Sequence, residues 1–166
     1  MIKKTRVIKI KMAVHIATRK IIKEWIDYNG HMNVMYYTKV FDDAVDDYIE
    51  KMLGMGPKYT KKRGHGPYAM QTQYVYLSEL LENEKVFIEV QIANFDRKKM
   101  HLYLEMFKFL DKMLISTCET LLINVDLNTR KSVNYDEDIF NKLESIKSKN
   151  RFTSKFLGKK IEIKTK

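Results

Sequence analysis

The stretch Trp25-Ile26-Asp27-Tyr28-Asn29-Gly30-His31-Met32-Asn33, running into Val34-Met35-Tyr36-Tyr37, gathers an acid, an imidazole, a carboxamide, a glycine and several rings into one turn. Behind it, Val34, Tyr37, Phe41, Ala44, Val45, Tyr48, Ile49 and Met52 recur at three-and-four spacing, which predicts a helix over roughly 34–52 with one apolar face. Asn33 then falls at the N-cap, where its side-chain oxygen can accept one of the free amide hydrogens that open a helix. Those amides, together with the helix dipole, favour a bound anion or an oxygen that becomes negative during a reaction. Gly30 lets a ligand approach the backbone, and a carboxylate at Asp27 can activate water or attack directly while the amides polarise a carbonyl. Asp, Asn and Gly also suit turns and caps for their own sake, so spacing alone leaves a purely structural reading open.

Upstream, Val7-Ile8-Lys9-Ile10-Lys11 alternates and Val14-His15-Ile16-Ala17 precedes Ile21-Ile22, which predicts one or two strands leading into the turn. On the helix, Asp42, Asp43, Asp46 and Asp47 lie opposite the apolar stripe, where solvent is expected to meet them. Downstream, residues 54–67 hold four of the six glycines and both prolines, which predicts a loop. Lys58, Lys61, Lys62 and Arg63 make that loop either a phosphate clamp or a solvated connector, and composition favours the connector.

From about residue 68 the period becomes two. Val86, Ile88, Val90 and Ile92 share one face of a strand, and Met100, Leu102, Leu104, Met106 and Leu110 share one face of the next. The other face of that second strand carries Tyr103, Phe107 and Phe109, so both faces should be covered, one by the helix and the other by a second subunit. Asp96-Arg97-Lys98 and Asp111-Lys112 read as hairpin connections without the glycine that the tightest hairpins prefer. Met113 to Asp126 reads as a further strand with Met113, Ile115, Leu121, Ile123 and Val125 on one face, interrupted by Thr117 and Glu119. Residues 135–149 fit a last helix with Ile139, Leu143 and Ile146 on one face.

One long apolar helix followed by an antiparallel meander is an α+β layout, and 166 residues suffice for one domain with a substantial core. The net charge of +10 raises nucleic acid as a partner, but its distribution argues against it. Residues 1–24 carry eight Lys/Arg against one acid and residues 147–166 eight against one, whereas the body between carries fifteen against nineteen, a net of −4. No apolar run is long enough to span a bilayer and the N-terminus has no secretory pattern, so a cytoplasmic location is expected. The single cysteine, Cys118, falls in a strand and is expected to pack as a small apolar side chain. His15, His31, His65 and His101 show none of the close pairings of a zinc site, so no metal is expected.

The order Asp27-x-x-Gly30-His31-x-Asn33 ahead of a helix and an antiparallel sheet resembles the hot-dog-fold acyl-CoA thioesterases of the 4-hydroxybenzoyl-CoA thioesterase type. Glu24-Trp25-x-Asp27-Tyr28-Asn29-Gly30-His31-Met32-Asn33, Tyr76-Leu77-x-Glu79-Leu80, Asp96-x-Lys98-x-x-His101 and Glu119-x-Leu121-Leu122-x-x-Val125-Asp126 are similar to the betainyl-CoA thioesterase branch associated with carnitine catabolism. Asn83-Glu84 departs from that pattern, which has a Gly-Asp turn there.

The resemblance, which covers roughly residues 13–130, implies a sheet wrapped around one central helix, while length and composition predict a single domain over 1–146 followed by a Lys-rich tail over 147–166. It implies a homodimer or homotetramer that hydrolyses a short polar or cationic acyl-CoA such as betainyl-CoA. Coenzyme A would enter as part of the substrate, and no cofactor would be needed. Asp27 would be the general base or nucleophile, amides near Gly30 and His31 would polarise the carbonyl, and His31 and Asn33 would position substrate or water. For a trimethylammonium acyl group, the candidates are Trp25, Tyr28, Tyr36 and Glu119, with cation–π contacts contributing about 0.5–2 kcal/mol each. Arg63, Arg97 and Lys98 are candidates for the coenzyme A phosphates. The competing readings are a fatty acyl-CoA or acyl-carrier-protein thioesterase, and a hot-dog binding protein with no turnover.

Overall fold

The computed structural model describes residues 13–149. Five strands, β1 (Val14–Lys20), β2 (His65–Tyr76), β3 (Lys85–Phe95), β4 (Lys99–Lys108) and β5 (Leu114–Asp126), form one antiparallel sheet in the order β1-β3-β4-β5-β2. The long helix α1 (Val34–Tyr48) packs on one face of it, which is the α+β hot-dog arrangement expected from the sequence. The alternating stretch Val7–Lys11 and the tail beyond Lys149 lie outside the described residues, and the closing helix α3 (Glu137–Lys149) runs past the expected domain boundary at 146.

Helix α1 forms where the 3.6-residue period placed it. Tyr37, Val40, Phe41, Ala44, Val45 and Tyr48 are buried, while Val34, assigned to the same stripe, is exposed at the first turn. The expected N-cap is present: Asn33 is extended, and its side-chain oxygen accepts from the Met35 amide at 3.0 Å. After Tyr48 the helix widens into a single π turn, Ile49–Leu53, and stops at Gly54, whose φ of 79° is the left-handed conformation that glycine adopts without strain. The Lys142 ammonium donates to the Leu53 carbonyl at 2.7 Å, a cation at the negative end of the helix. Of the four acids on the outer face, Asp43 meets Lys39, and Asp47 meets Lys51 and Arg19, so that face is only in part a solvated one. Burial, then the neighbouring Asp42, Asp43, Asp47 and Glu50, raise the Asp46 carboxyl above its ordinary range.

Strand β4 is central and buried on both faces, as its two-sided apolar composition predicted. Met100, Leu102, Leu104 and Met106 join the core under α1, whereas Leu110, expected on that face, and Phe109, expected on the other, lie past the end of the strand and are exposed. His101, Tyr103, Glu105 and Phe107 are buried on the opposite face. Val86, Ile88, Val90 and Ile92 of β3 complete the core as expected. The two hairpins manage without glycine by side-chain bonding. The Asp96 carboxylate accepts from the amides of Lys98 and Lys99, both at 2.7 Å, while Asp111 accepts from the Met113 amide and Lys112 takes the left-handed conformation. Asn83 sits at φ 69°, doing the backbone work of the expected glycine, which an Asn tolerates better than most residues.

Two expectations need correction. Residues 54–67 are not simply a loop: Pro57–Arg63 form a short helix, α2, between Gly56 and a left-handed Gly64, and β2 begins at His65. The glycines and the proline that looked like loop composition are the two caps and the first turn of that helix. On β5, Ile115 and Leu121 do not share a face. The β4 register steps from Met106↔Ser116 to Phe107↔Leu114, so Ile115 is skipped in a bulge. Ile115 therefore joins the core with Cys118 and Leu122, and Thr117, Glu119 and Leu121 fall on the face away from α1. Cys118 is buried as expected, and burial pushes its thiol well above the ordinary range.

Candidate active site

The turn ahead of α1 is a small closed loop. Ile26 and Met32 form an antiparallel bridge, the Asp27 amide donates to the His31 carbonyl at 3.0 Å, and the Gly30 amide donates to the Asp27 carbonyl at 3.0 Å. The Trp25 ring stacks on Tyr36 of the first helical turn at 5.2 Å, and the Asn33 amide donates to the Trp25 carbonyl at 2.8 Å, so loop and helix are fixed together.

Within that loop Asp27 is half-buried. One carboxylate oxygen accepts from the Asn29 amide at 2.8 Å, and the other lies 3.5 Å from the Asn33 side-chain nitrogen. His31 donates from Nδ1 to the Met32 carbonyl at 3.2 Å, and among the described residues its Nε2 has no partner. Among the described residues nothing accepts from the backbone amides of His31 and Val34, two donors beside Asp27 at the opening of α1. Gly30 has φ 82° with open space where a side chain would go. Its requirement is therefore conformational: Gly30→Ala is expected to cost about 1–2 kcal/mol through backbone strain, read as a lower urea midpoint with an unchanged m value.

Next to this loop lies a cleft of about 320 Å³ lined by His31, Met32, Val34, Tyr37, Tyr76, Ser78 and Glu79. Its far rim is placed by the β5 bulge: the Ile115 carbonyl accepts from the amides of both Leu77 and Ser78, at 2.9 and 3.2 Å. The rim is tied to the loop by the Met32 amide donating to the Leu80 carbonyl at 2.7 Å. Tyr37 meets Tyr76 edge-on at 5.2 Å and donates to the Ser78 carbonyl at 3.4 Å. Burial first, then the Glu79 and Glu84 carboxylates among smaller contributions, push the Tyr37 phenol up to about 12, so it stays neutral at ordinary pH.

The structure thus brings Asp27, Gly30, His31 and Asn33 into one loop, with His31 reaching the cleft. It distributes the other candidates differently. Trp25 and Tyr36 spend their faces on each other, and Tyr28 is 96% exposed. Glu119 is on the sheet face away from α1, 6% exposed, with a carboxylate oxygen 3.2 Å from His101 Nε2. Arg63 is held by Asp136, and Arg97 by Glu137 and the face of Phe140. Arg97 and the exposed Lys98 sit in the β3–β4 turn. There Lys99 pairs with Ile123, seven residues along β5 from the Ser116 that pairs with Tyr76, or roughly 24 Å at ~3.4 Å per residue. Within one chain the phosphate candidates are therefore at the opposite end of the sheet from the cleft.

The cleft residues that sequence reasoning did not single out are Tyr37, Tyr76, Ser78 and Glu79. Tyr37 was counted only as core, and Tyr76 and Glu79 only as parts of a motif. Their signal was the short spacing Tyr76-x-x-Glu79 at a strand end, which acquires meaning only once the register brings it against the turn. Among the described residues no group of three or more His, Cys, Asp or Glu is arranged to hold a metal ion, and no helix is long and apolar enough to cross a membrane.

Comparison with known proteins bears on the same loop and sheet. A model of the thioesterase-like superfamily matches residues 22–143. An L-carnitine dehydrogenase/betainyl-CoA thioesterase of a Rhizobium species is 28% identical over 133 residues, 80% of this chain and 26% of that protein. The betainyl-CoA thioesterase of Pseudomonas aeruginosa is 24% identical over 131 residues, 79% of this chain and 82% of that protein. The chain thus spans about a quarter of the length of the two-function relatives it matches. Among solved structures, a Staphylococcus aureus protein characterised in complex with CoA superposes with a TM-score of 0.82 at 25% identity, covering 92% of this chain and 98% of that one. The DHNA-CoA thioesterase of Staphylococcus aureus shares the fold, with a TM-score of 0.71 at 20% identity over 82% of this chain and 95% of that one.

Proposed function

The chain belongs to the thioesterase-like superfamily, and from that premise we propose that it hydrolyses the thioester of a short polar or cationic acyl-CoA such as betainyl-CoA, giving the free acid and coenzyme A. The observation that carries this reading is the Asp27 carboxylate beside two uncommitted amides at the start of α1, next to an apolar cleft. Attack on a thioester carbonyl puts negative charge on its oxygen, and the amides of His31 and Val34 are fixed donors for it, aided by the helix dipole. Asp27 either takes the proton of the attacking water or attacks the carbonyl itself, and the Asn29 amide orients it in both cases. Asn33 has two tasks, capping α1 through its oxygen and facing Asp27 through its nitrogen.

The betainyl preference is supported by the names of the relatives and by a cleft walled by tyrosines with a carboxylate at its rim. Assembly as a homodimer or larger is supported by β2, a twelve-residue edge strand that leaves Tyr68, Met70 and Tyr76 exposed, the kind of edge that a second chain covers.

The test is release of free thiol by the full chain from betainyl-CoA and from straight-chain acyl-CoAs of four to sixteen carbons. Betainyl-CoA is expected to show a kcat/KM at least about ten-fold above the others, a gap of about 1.4 kcal/mol in transition-state binding. A preference for a long straight chain replaces the cationic acyl group by a fatty one. No release from any thioester defeats the hydrolytic reading altogether.

A further inference from the structure

We propose that Glu79, backed by the rings of Tyr37 and Tyr76, is the specificity-determining carboxylate of the cleft, selecting acyl groups that carry a positive charge and turning away those that end in a carboxylate. The inference rests on the thioesterase reading and goes beyond it by assigning acyl choice to residues outside the Asp27 loop.

Three observations support it. First, among the described residues Glu79 is the one acidic side chain lining the cleft, and no described Lys or Arg lines it, in a chain whose net charge is +10. Second, Glu79 has no ion-pair or hydrogen-bond partner among the described residues, whereas the nearby Glu84 is held by Lys108 at 2.7 Å. An exposed carboxylate left without a cation at the mouth of an aromatic cleft is free to meet one on a ligand. Third, the rings beside it are placed for the same purpose. Tyr37 and Tyr76 both line the cleft and meet at an interplanar angle of 77°, and Tyr76 is about half exposed. The negative face of a neutral phenol attracts a quaternary ammonium, and the Tyr37 phenol, raised by burial and by Glu79, does not ionise in the working range.

The cleft, of about 320 Å³, has room for a trimethylammonium-acetyl group. Position completes the assignment. The rim carrying Glu79 is anchored at Leu80 to Met32, directly after His31, so an acyl group seated between Tyr76 and Glu79 has its carbonyl on the side of the His31 and Val34 amides.

The experiment compares betainyl-CoA with 3,3-dimethylbutyryl-CoA, in which carbon replaces the quaternary nitrogen and shape is kept. Both are assayed on the full-length wild type, on Glu79→Gln and on Glu79→Lys. The wild type is expected to favour betainyl-CoA in kcat/KM. That ratio should fall about five-fold in Glu79→Gln, the size expected of a partly exposed charge pair, and further in Glu79→Lys. Because Glu79 is exposed, folding is not at stake, and a melting curve matching the wild type checks this. A wild-type ratio near one, with both thioesters hydrolysed, overturns the inference and leaves the thioesterase reading standing. Equal loss on both substrates in Glu79→Gln also overturns it, by making Glu79 part of the chemistry. Absence of hydrolysis of either thioester by the wild type removes the reading and this inference together.

Discussion

Asp27→Asn is expected to lower kcat by about 10²- to 10⁴-fold on whichever acyl-CoA the wild type hydrolyses, the range typical of removing a general acid or base. The substitution is chosen because it preserves shape. The Asn29 amide now reaches Asp27 at 2.8 Å, and an amide oxygen in the same place can still accept it. Asn33 keeps its bond to the Met35 amide, so the cap on α1 is untouched. Stability should therefore move by less than about 1 kcal/mol, with a thermal midpoint within a few degrees of the wild type. Stopped-flow or thiol-release kinetics beside a thermal melt give both readings. A variant that keeps more than a tenth of the turnover would show that the carboxylate is a turn residue and nothing more. A variant that loses activity and fold together would make the effect structural.

The second large effect concerns stability. Phe41→Ala should destabilise the fold by about 3–5 kcal/mol, a large share of the ~5–15 kcal/mol available to an ordinary domain. Phe41 is fully buried on the inner face of α1, and its ring lies 5.9 Å from that of Tyr74, which in turn stacks on Tyr76 at the cleft wall. Truncation leaves a cavity behind Tyr74, the ring that backs Tyr76 at the cleft wall, so the fraction that folds should also bind substrate less tightly. Urea unfolding measures the first effect and KM the second. A loss under 1 kcal/mol would mean that the neighbouring Tyr74 and Val45 collapse into the space without penalty.

What could be read from the sequence followed from periodicity. Helix α1 announced itself because apolar side chains recur around one face, and β4 because large side chains occupy both of its faces. The candidate catalytic loop was legible because Asp27, Gly30, His31 and Asn33 are close in sequence and its geometry is local. The acyl side of the cleft was not, since Tyr37, Tyr76 and Glu79 meet only through long-range pairing of β2 with β5. Trp25 and Tyr36 were plausible aromatic walls by proximity, but they stack on each other and neither lines the cleft. Glu119 suggested a polar site from within an apolar row. Counting in twos cannot reveal where a strand skips a residue, and that skip decides which side of the sheet the acid takes.

The skipped residue in β5 has two dependants. Ile115 breaks the alternation between Leu114, opposite Phe107, and Ser116, opposite Met106, and its carbonyl holds the two amides that suspend Ser78 and Glu79 over the cleft. Side-chain identity at 115 matters little to either duty, because both depend on the presence of one surplus backbone unit. Loss of a single codon there should therefore do what no substitution at that position can: turn the ladder regular, with Leu114 and Ser116 keeping Phe107 and Met106 as partners, while unhooking Leu77 and Ser78 from the sheet.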